Sequence, residues 1–140
     1  MPSSTAVPYF LARRISRHFR STFYNDVFIK CTVEEVINNY FNEEVNKKEL
    51  HIKPIKRTLS ELQKLPPNTI FTMKKIPNKI RHYFSPWKIN PNFDINRLNH
   101  YNIILIDDLL STGTTLNTAT IELNRSGLTC STAICLLSNL

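Results

Sequence analysis

Ile103-Ile-Leu-Ile-Asp-Asp-Leu-Leu-Ser-Thr-Gly-Thr-Thr115 is the stretch that decides how this chain is read. Ile103 to Ile106 are a continuous apolar run, short enough for a strand buried on both faces in the middle of a parallel sheet. Asp107 and Asp108 fall where that strand is expected to end, and Leu109 and Leu110 lead into a hydroxyl-rich turn, Ser111 to Thr115. Beyond it Leu116, Ala119, Ile121 and Leu123 are spaced for a helix that closes at Gly127 as its left-handed stop. The chain has only two glycines, Gly113 and Gly127. One falls in the turn and the other at the helix end, so each has a backbone role to play.

The chemistry of this order follows group by group. Ionised carboxylates only accept hydrogen bonds, so two of them at a strand end suit the vicinal hydroxyls of a ribose and repel a phosphate. The turn offers the opposite surface: backbone N–H groups around a glycine, hydroxyl donors and the positive end of the following helix. A furanose 5-phosphate spans the two, with its hydroxyls on Asp107 and Asp108 and its phosphate at Ser111, Thr112, Gly113, Thr114 and Thr115. The plain alternative is an ordinary strand-loop-helix connection with exposed acids and a hydroxyl cap. The position of one of only two glycines at the phosphate turn weighs against it.

This segment resembles the signature loop of the type I phosphoribosyltransferases, in which a hydrophobic strand, two acids and a Thr-Thr-Gly-type turn bind the ribose 5-phosphate of phosphoribosyl pyrophosphate (PRPP). Asp107, Asp108, Ser111, Thr112, Gly113, Thr114 and Thr115 fall on its positions in order, with Ser111 where many members have threonine. The clear likeness covers the last part of the chain, residues 100–140. Met1-Pro-Ser-Ser-Thr-Ala before a basic helix resembles the family's first strand-to-helix turn, which implies a pyrophosphate-binding role for Ser3 and Ser4. Arg81-His-Tyr-Phe84 resembles a feature of the competence-protein-F-like branch.

The resemblance implies an α/β fold: a doubly wound parallel sheet with helices on both faces and a small irregular hood, lacking the first strand if the chain starts at Met1. It further implies Mg²⁺ accompanying PRPP, and transfer of the phosphoribosyl group to or from a nitrogenous base. The other form of the same reading is a non-catalytic, nucleotide-sensing or accessory protein of the same fold. A homodimer is compatible with either.

Composition narrows the remaining classes. At 140 residues the chain suits one domain, with residues 51–99 as hood and loop region and 100–140 as the strand-helix-strand carrying the motif. No window approaches the roughly 18 to 20 apolar residues needed to cross a bilayer. Arg13, Arg14 and Arg17 are followed by no apolar signal core, so a cytoplasmic location is expected. Cys31, Cys130 and Cys135 are odd in number and lack paired spacing, which argues against disulfides and zinc and for small core residues. His18, His51, His82 and His100 show no metal spacing.

Lysine and arginine total 18 against 11 acids, a formal charge of +7. That excess favours an anionic partner, polyphosphate or nucleic acid. Nucleic acid is the less favoured, because charge alone supports it and no helix-turn-helix, zinc or RNA-binding signature is present. A pyrophosphate clamp would be drawn from Lys53, Lys56, Arg57, Lys74, Lys75, Lys79 and Arg81, with Lys79 and Arg81 singled out, and surface solubility is the competing explanation for such cations.

Along the chain, Val7, Leu11, Ile15 and Phe19 recur at helical spacing after Pro8, and Val27 to Cys31 read as a strand. Thr32 and Glu35 form a capping box for a helix with Val33, Val36, Ile37, Tyr40 and Phe41 as its stripe, expected to fade near Lys47. Six prolines from Pro54 to Pro91 interrupt the middle of the chain. There Arg57 to Leu65 is expected as a short helix, Thr69 to Met73 as a strand and Asn78 to Phe84 as a helical turn. Tyr83, Phe84 and Trp87 are candidates either to stack on a base or to fill the hood core.

Overall fold

The computed structural model describes residues 6–42, 48–110 and 113–138, without the side chains of 108–110 and 137–138. Eight principal elements are described: α1 (Val7–Phe19), β1 (Phe28–Lys30), α2 (Val33–Asn42), α3 (Glu49–Leu62), β2 (Trp87–Ile89), β3 (Ile103–Leu110), α4 (Thr114–Arg125) and β4 (Cys130–Ser138). The protein mixes helix and strand, and among the described residues its strands form two two-stranded sheets, β1 with β2 and β3 with β4. No wider doubly wound sheet joins them among those residues.

The chain divides into two compact units, one made of residues 1–29 and 89–140, the other of Lys30–Lys88. In the first, β3 and β4 run parallel and α4 connects them, so the motif segment is a β-α-β unit. The register pairs Ile104 with Thr132, Asp107 with Cys135 and Leu110 with Ser138. α4 packs on β4 through a face that buries Leu116, Ala119 and Leu123. It ends at Gly127 (φ 77°), where the N–H of Leu128 reaches the Leu123 carbonyl at 3.0 Å and that of Gly127 the Asn124 carbonyl at 3.0 Å. That pair of bonds is a Schellman arrangement, and Gly127 is the left-handed stop expected from the sequence.

α1 starts with Pro8 in its first turn, where a missing N–H leaves no carbonyl unpaired, and packs against β3 with Pro8 and Ala12 buried. Arg20 ends it in the left-handed conformation (φ 50°).

The second unit has a continuous apolar core of residues that include Cys31, Val33, Val36, Ile55, Phe71, Ile80 and Phe84. α2 opens on the predicted capping box: the Thr32 N–H donates to Glu35 Oε2 at 2.9 Å and the Glu35 N–H to Thr32 Oγ1 at 3.3 Å. α2 extends to Asn42, and the expected fade near Lys47 lies outside the described residues.

α3 differs from expectation. It begins at Glu49 rather than Arg57 and carries Pro54 inside it. Proline there leaves only the Leu50 carbonyl without its helical donor, and Leu50 is 82% exposed, so water can take that place. The strand expected over Thr69 to Met73 reduces to a single antiparallel bridge, Thr32 with Ile70, followed by a 3₁₀ turn at Met73–Lys75. Asn78–Tyr83 forms the expected helical turn, as a 3₁₀ helix packed on α3. Cys31 is fully buried and Cys130 and Cys135 half-buried, and none of the three forms a disulfide among the described residues.

Candidate functional site

The motif residues lie at and beyond the carboxyl half of β3, the end at which ligands bind in open parallel sheets. β3 does not stop at the acids. It continues to Leu110, so Asp107 and Asp108 sit within a paired strand rather than at its end. The extra length comes from Leu109 and Leu110, which pair with Leu137 and Ser138. Nor is the strand buried on both faces: Leu105 and Asp107 are 6% and 7% exposed, whereas Ile104 between them is 49% exposed. Alternation puts Leu105 and Asp107 on the packed face and Ile104 on the more open one, where Ile106 is half-buried.

Asp107 therefore presents its carboxylate from the buried face of β3. Asp108 is described only through its backbone, in the strand, and Ser111 and Thr112 lie outside the described residues, as do Ser3 and Ser4. Gly113 has φ 68°, ψ −2° and caps α4. An L side chain is strained at that φ, and glycine is not. Its carbonyl accepts the first helical bond, from the Asn117 N–H at 2.9 Å, and as a glycine it adds no side-chain cap of its own. Thr114 is buried and Thr115 half-buried in the first turn. Thr118 is buried one turn on, with its hydroxyl donating back to the carbonyls of Thr114 (2.9 Å) and Thr115 (3.0 Å). That bonding spends the Thr118 hydroxyl inside the helix.

Lys79 and Arg81 belong to the other unit, in the 3₁₀ helix Asn78–Tyr83. Lys79 is exposed, and Arg81 directs its Nε–H to the Ile76 carbonyl at 2.9 Å. Of the wider cation set, Arg57 pairs with Glu61 on α3 at 3.1 Å. Tyr83, Phe84 and Trp87 are each at least nine-tenths buried, and Phe84 stacks on Tyr40 with centroids 5.5 Å apart, so these aromatics are core side chains of their unit.

Two hollows flank β3. One of about 210 Å³ is lined chiefly by apolar side chains of α1, the segment 21–28 and Ile103–Ile106. The other, about 640 Å³, lies among Leu98–Ile104 and Gly127–Thr132, the segments that lead into the amino ends of β3 and β4. Neither is lined by Asp107, Gly113, Thr114 or Thr115. No family model, no curated protein and no solved structure matches this chain.

Sequence reading missed one cluster. His51 Nδ1 and the Tyr83 hydroxyl lie 3.0 Å apart, the Lys48 N–H donates to that hydroxyl at 3.3 Å, and the His51 and His82 ring centroids are 5.8 Å apart. Burial, and then the neighbouring His51 and Lys48 charges, hold the His82 pKa below the ordinary histidine range. The partners are more than thirty residues apart in the chain, so no local pattern announces them. Among the described residues no three His, Cys, Asp or Glu side chains gather as a metal-ligand set, and no helix is long and apolar enough to cross a membrane.

Proposed function

We propose that residues 103–138 form a ribose 5-phosphate-binding unit of the type I phosphoribosyltransferase kind, taking PRPP or a related nucleotide. The observation that carries this reading is Gly113 in the left-handed conformation between the acid-bearing strand and α4, a cap residue that itself puts no side chain over the amides of the first turn. On this reading Asp107 and Asp108 accept hydrogen bonds from the ribose hydroxyls, and Ser111, Thr112, Gly113, Thr114 and Thr115 hold the phosphate. The β3-α4-β4 unit is then part of a doubly wound sheet, with a hood drawn from residues 51–99.

As a phosphoribosyltransferase, the protein brings a nitrogen of the base to the anomeric carbon while the bond from that carbon to pyrophosphate breaks. Cations at the leaving group stabilise the charge that develops there. On the protein, Lys79 and Arg81 are the proposed cations, and Ser3 and Ser4 the proposed hydroxyl donors to the pyrophosphate. Mg²⁺ would arrive with PRPP and neutralise the pyrophosphate, held chiefly by the substrate's own phosphates and water.

Calorimetric titration with PRPP and Mg²⁺ tests the reading. The wild-type chain binds, and the Asp107→Asn/Asp108→Asn chain loses at least tenfold in affinity, in line with the ~1.5–3 kcal/mol of a charge-assisted hydrogen bond. Equal binding by both chains overturns the assignment. Pyrophosphate release with a panel of purine and pyrimidine bases then separates an enzyme from a protein that only senses the ligand.

A further inference from the structure

The outward face of α1 carries a second arrangement, independent of the motif. From Met1 to Asn25 the chain contains no acid, and its basic side chains there are Arg13, Arg14, Arg17, Arg20 and His18, with no lysine. Phe10, Arg13, Arg14 and Arg17 follow the i, i+3, i+4, i+7 spacing that brings side chains onto one side of a helix. All four are exposed, Phe10 at 63%. The opposite side, with Pro8 and Ala12, is buried where α1 packs on β3. None of these arginines has an acidic partner among the described residues. An exposed aromatic ring thus stands within three unpaired guanidinium groups.

We infer that this face of α1 binds single-stranded nucleic acid, with Arg13, Arg14 and Arg17 on backbone phosphates and Phe10 stacking on an unpaired base. Charge complementarity requires an anionic partner, and the choice among anionic partners follows from the geometry. A helix that lies on a membrane buries one continuous apolar side in the lipid, whereas the two most exposed apolar rings of α1, Phe10 and Phe19, stand nine residues apart and so on opposite sides of the helix. Guanidinium groups meet phosphate bidentately and also stack on bases, which suits an all-arginine face better than an all-lysine one. A ring open to solvent beside them is the element that contacts unpaired bases, since a duplex keeps its base faces hidden.

The test is fluorescence anisotropy of a labelled oligouridylate with the full chain, at several salt concentrations. Three phosphate contacts on a single strand give a log–log salt slope near about −2, so raising salt from ~50 to ~200 mM weakens binding by roughly 20-fold. The Arg13→Glu/Arg14→Glu/Arg17→Glu chain loses that slope, whereas the corresponding triple lysine chain keeps it. Phe10→Ala weakens binding by roughly tenfold, as the loss of one stacked base predicts. All these side chains are exposed, and an unchanged far-ultraviolet circular dichroism spectrum shows that each variant is folded. Four results would overturn the inference: a glutamate chain that binds as the wild type does, a neutral Phe10→Ala change, equal affinity for a duplex of the same length, or binding confined to phosphatidylglycerol vesicles.

Discussion

Gly127 and Thr32 show how single residues set the ends of elements. Gly127 sits at φ 77°, and a Cβ built on it meets nothing within 4 Å. The penalty for a side chain there is therefore one of backbone conformation alone. Gly127→Ala should destabilise the fold by about 1–2 kcal/mol, read as a lower urea midpoint at unchanged slope, and Gly127→Asn by less. Thr32 holds the other kind of end. Thr32→Ala removes a hydroxyl acceptor from the first turn of α2 and should cost about 1 kcal/mol. Its partner Glu35 also meets the Lys88 ammonium. Burial by itself raises the Glu35 carboxyl, but the Lys88 and Thr32 hydrogen bonds and the Lys88 charge outweigh it and hold the group below the usual carboxylate range. A depressed carboxyl stabilises the fold above its unfolded value, and that contribution fades as pH falls through the folded one. Lys88→Met should flatten that acid limb.

At the scale of elements, α3 and its neighbour supply the pH response near neutrality. The Tyr83 hydroxyl accepts the Lys48 N–H and lies 3.0 Å from His51 Nδ1. His82 lies beside them with its pKa lowered. A histidine lowered on folding binds its proton less readily in the folded chain than in the unfolded one. Stability contributed this way is complete above about pH 6.5 and is lost as pH drops below it. Urea midpoints measured across pH 5 to 8 should fall on the acid side, and His82→Gln should shrink the fall.

Elements differ in how plainly the sequence announces them, and the reasons are physical. α1, the capping box of α2 and the strand-helix-strand of the motif are legible because each rests on a local spacing or on a residue type tied to one conformation. α3 is hidden at its start because Pro54 reads as a breaker, yet it falls where only one solvated carbonyl goes unmatched. β2 has three residues, too few for any period to show. Within the candidate site, Gly113 and the following helix are legible from composition. The continuation of β3 past Asp107 is not, because Leu109 and Leu110 are fixed as strand by pairing with β4, a segment more than twenty residues away.

At the scale of the whole molecule, the division into two units predicts two levels of cooperativity. Ile80 is fully buried in the core of Lys30–Lys88. Ile80→Ala should destabilise that unit by about 2–5 kcal/mol. Native-state hydrogen exchange should show amides of α2 and α3 losing far more protection than those of β3 and α4. Equal loss in both groups would mean that the chain unfolds as one block. The formal charge of +7 acts at this scale too, drawing anions of any kind whatever their shape.

The segment Lys30–Lys88 begins on β1 and finishes on β2, two strands hydrogen-bonded to one another. The chain therefore enters and quits this segment through a paired couple of strands, so a short hairpin in its place should leave β3 and α4 with the amide protection they have in the full chain.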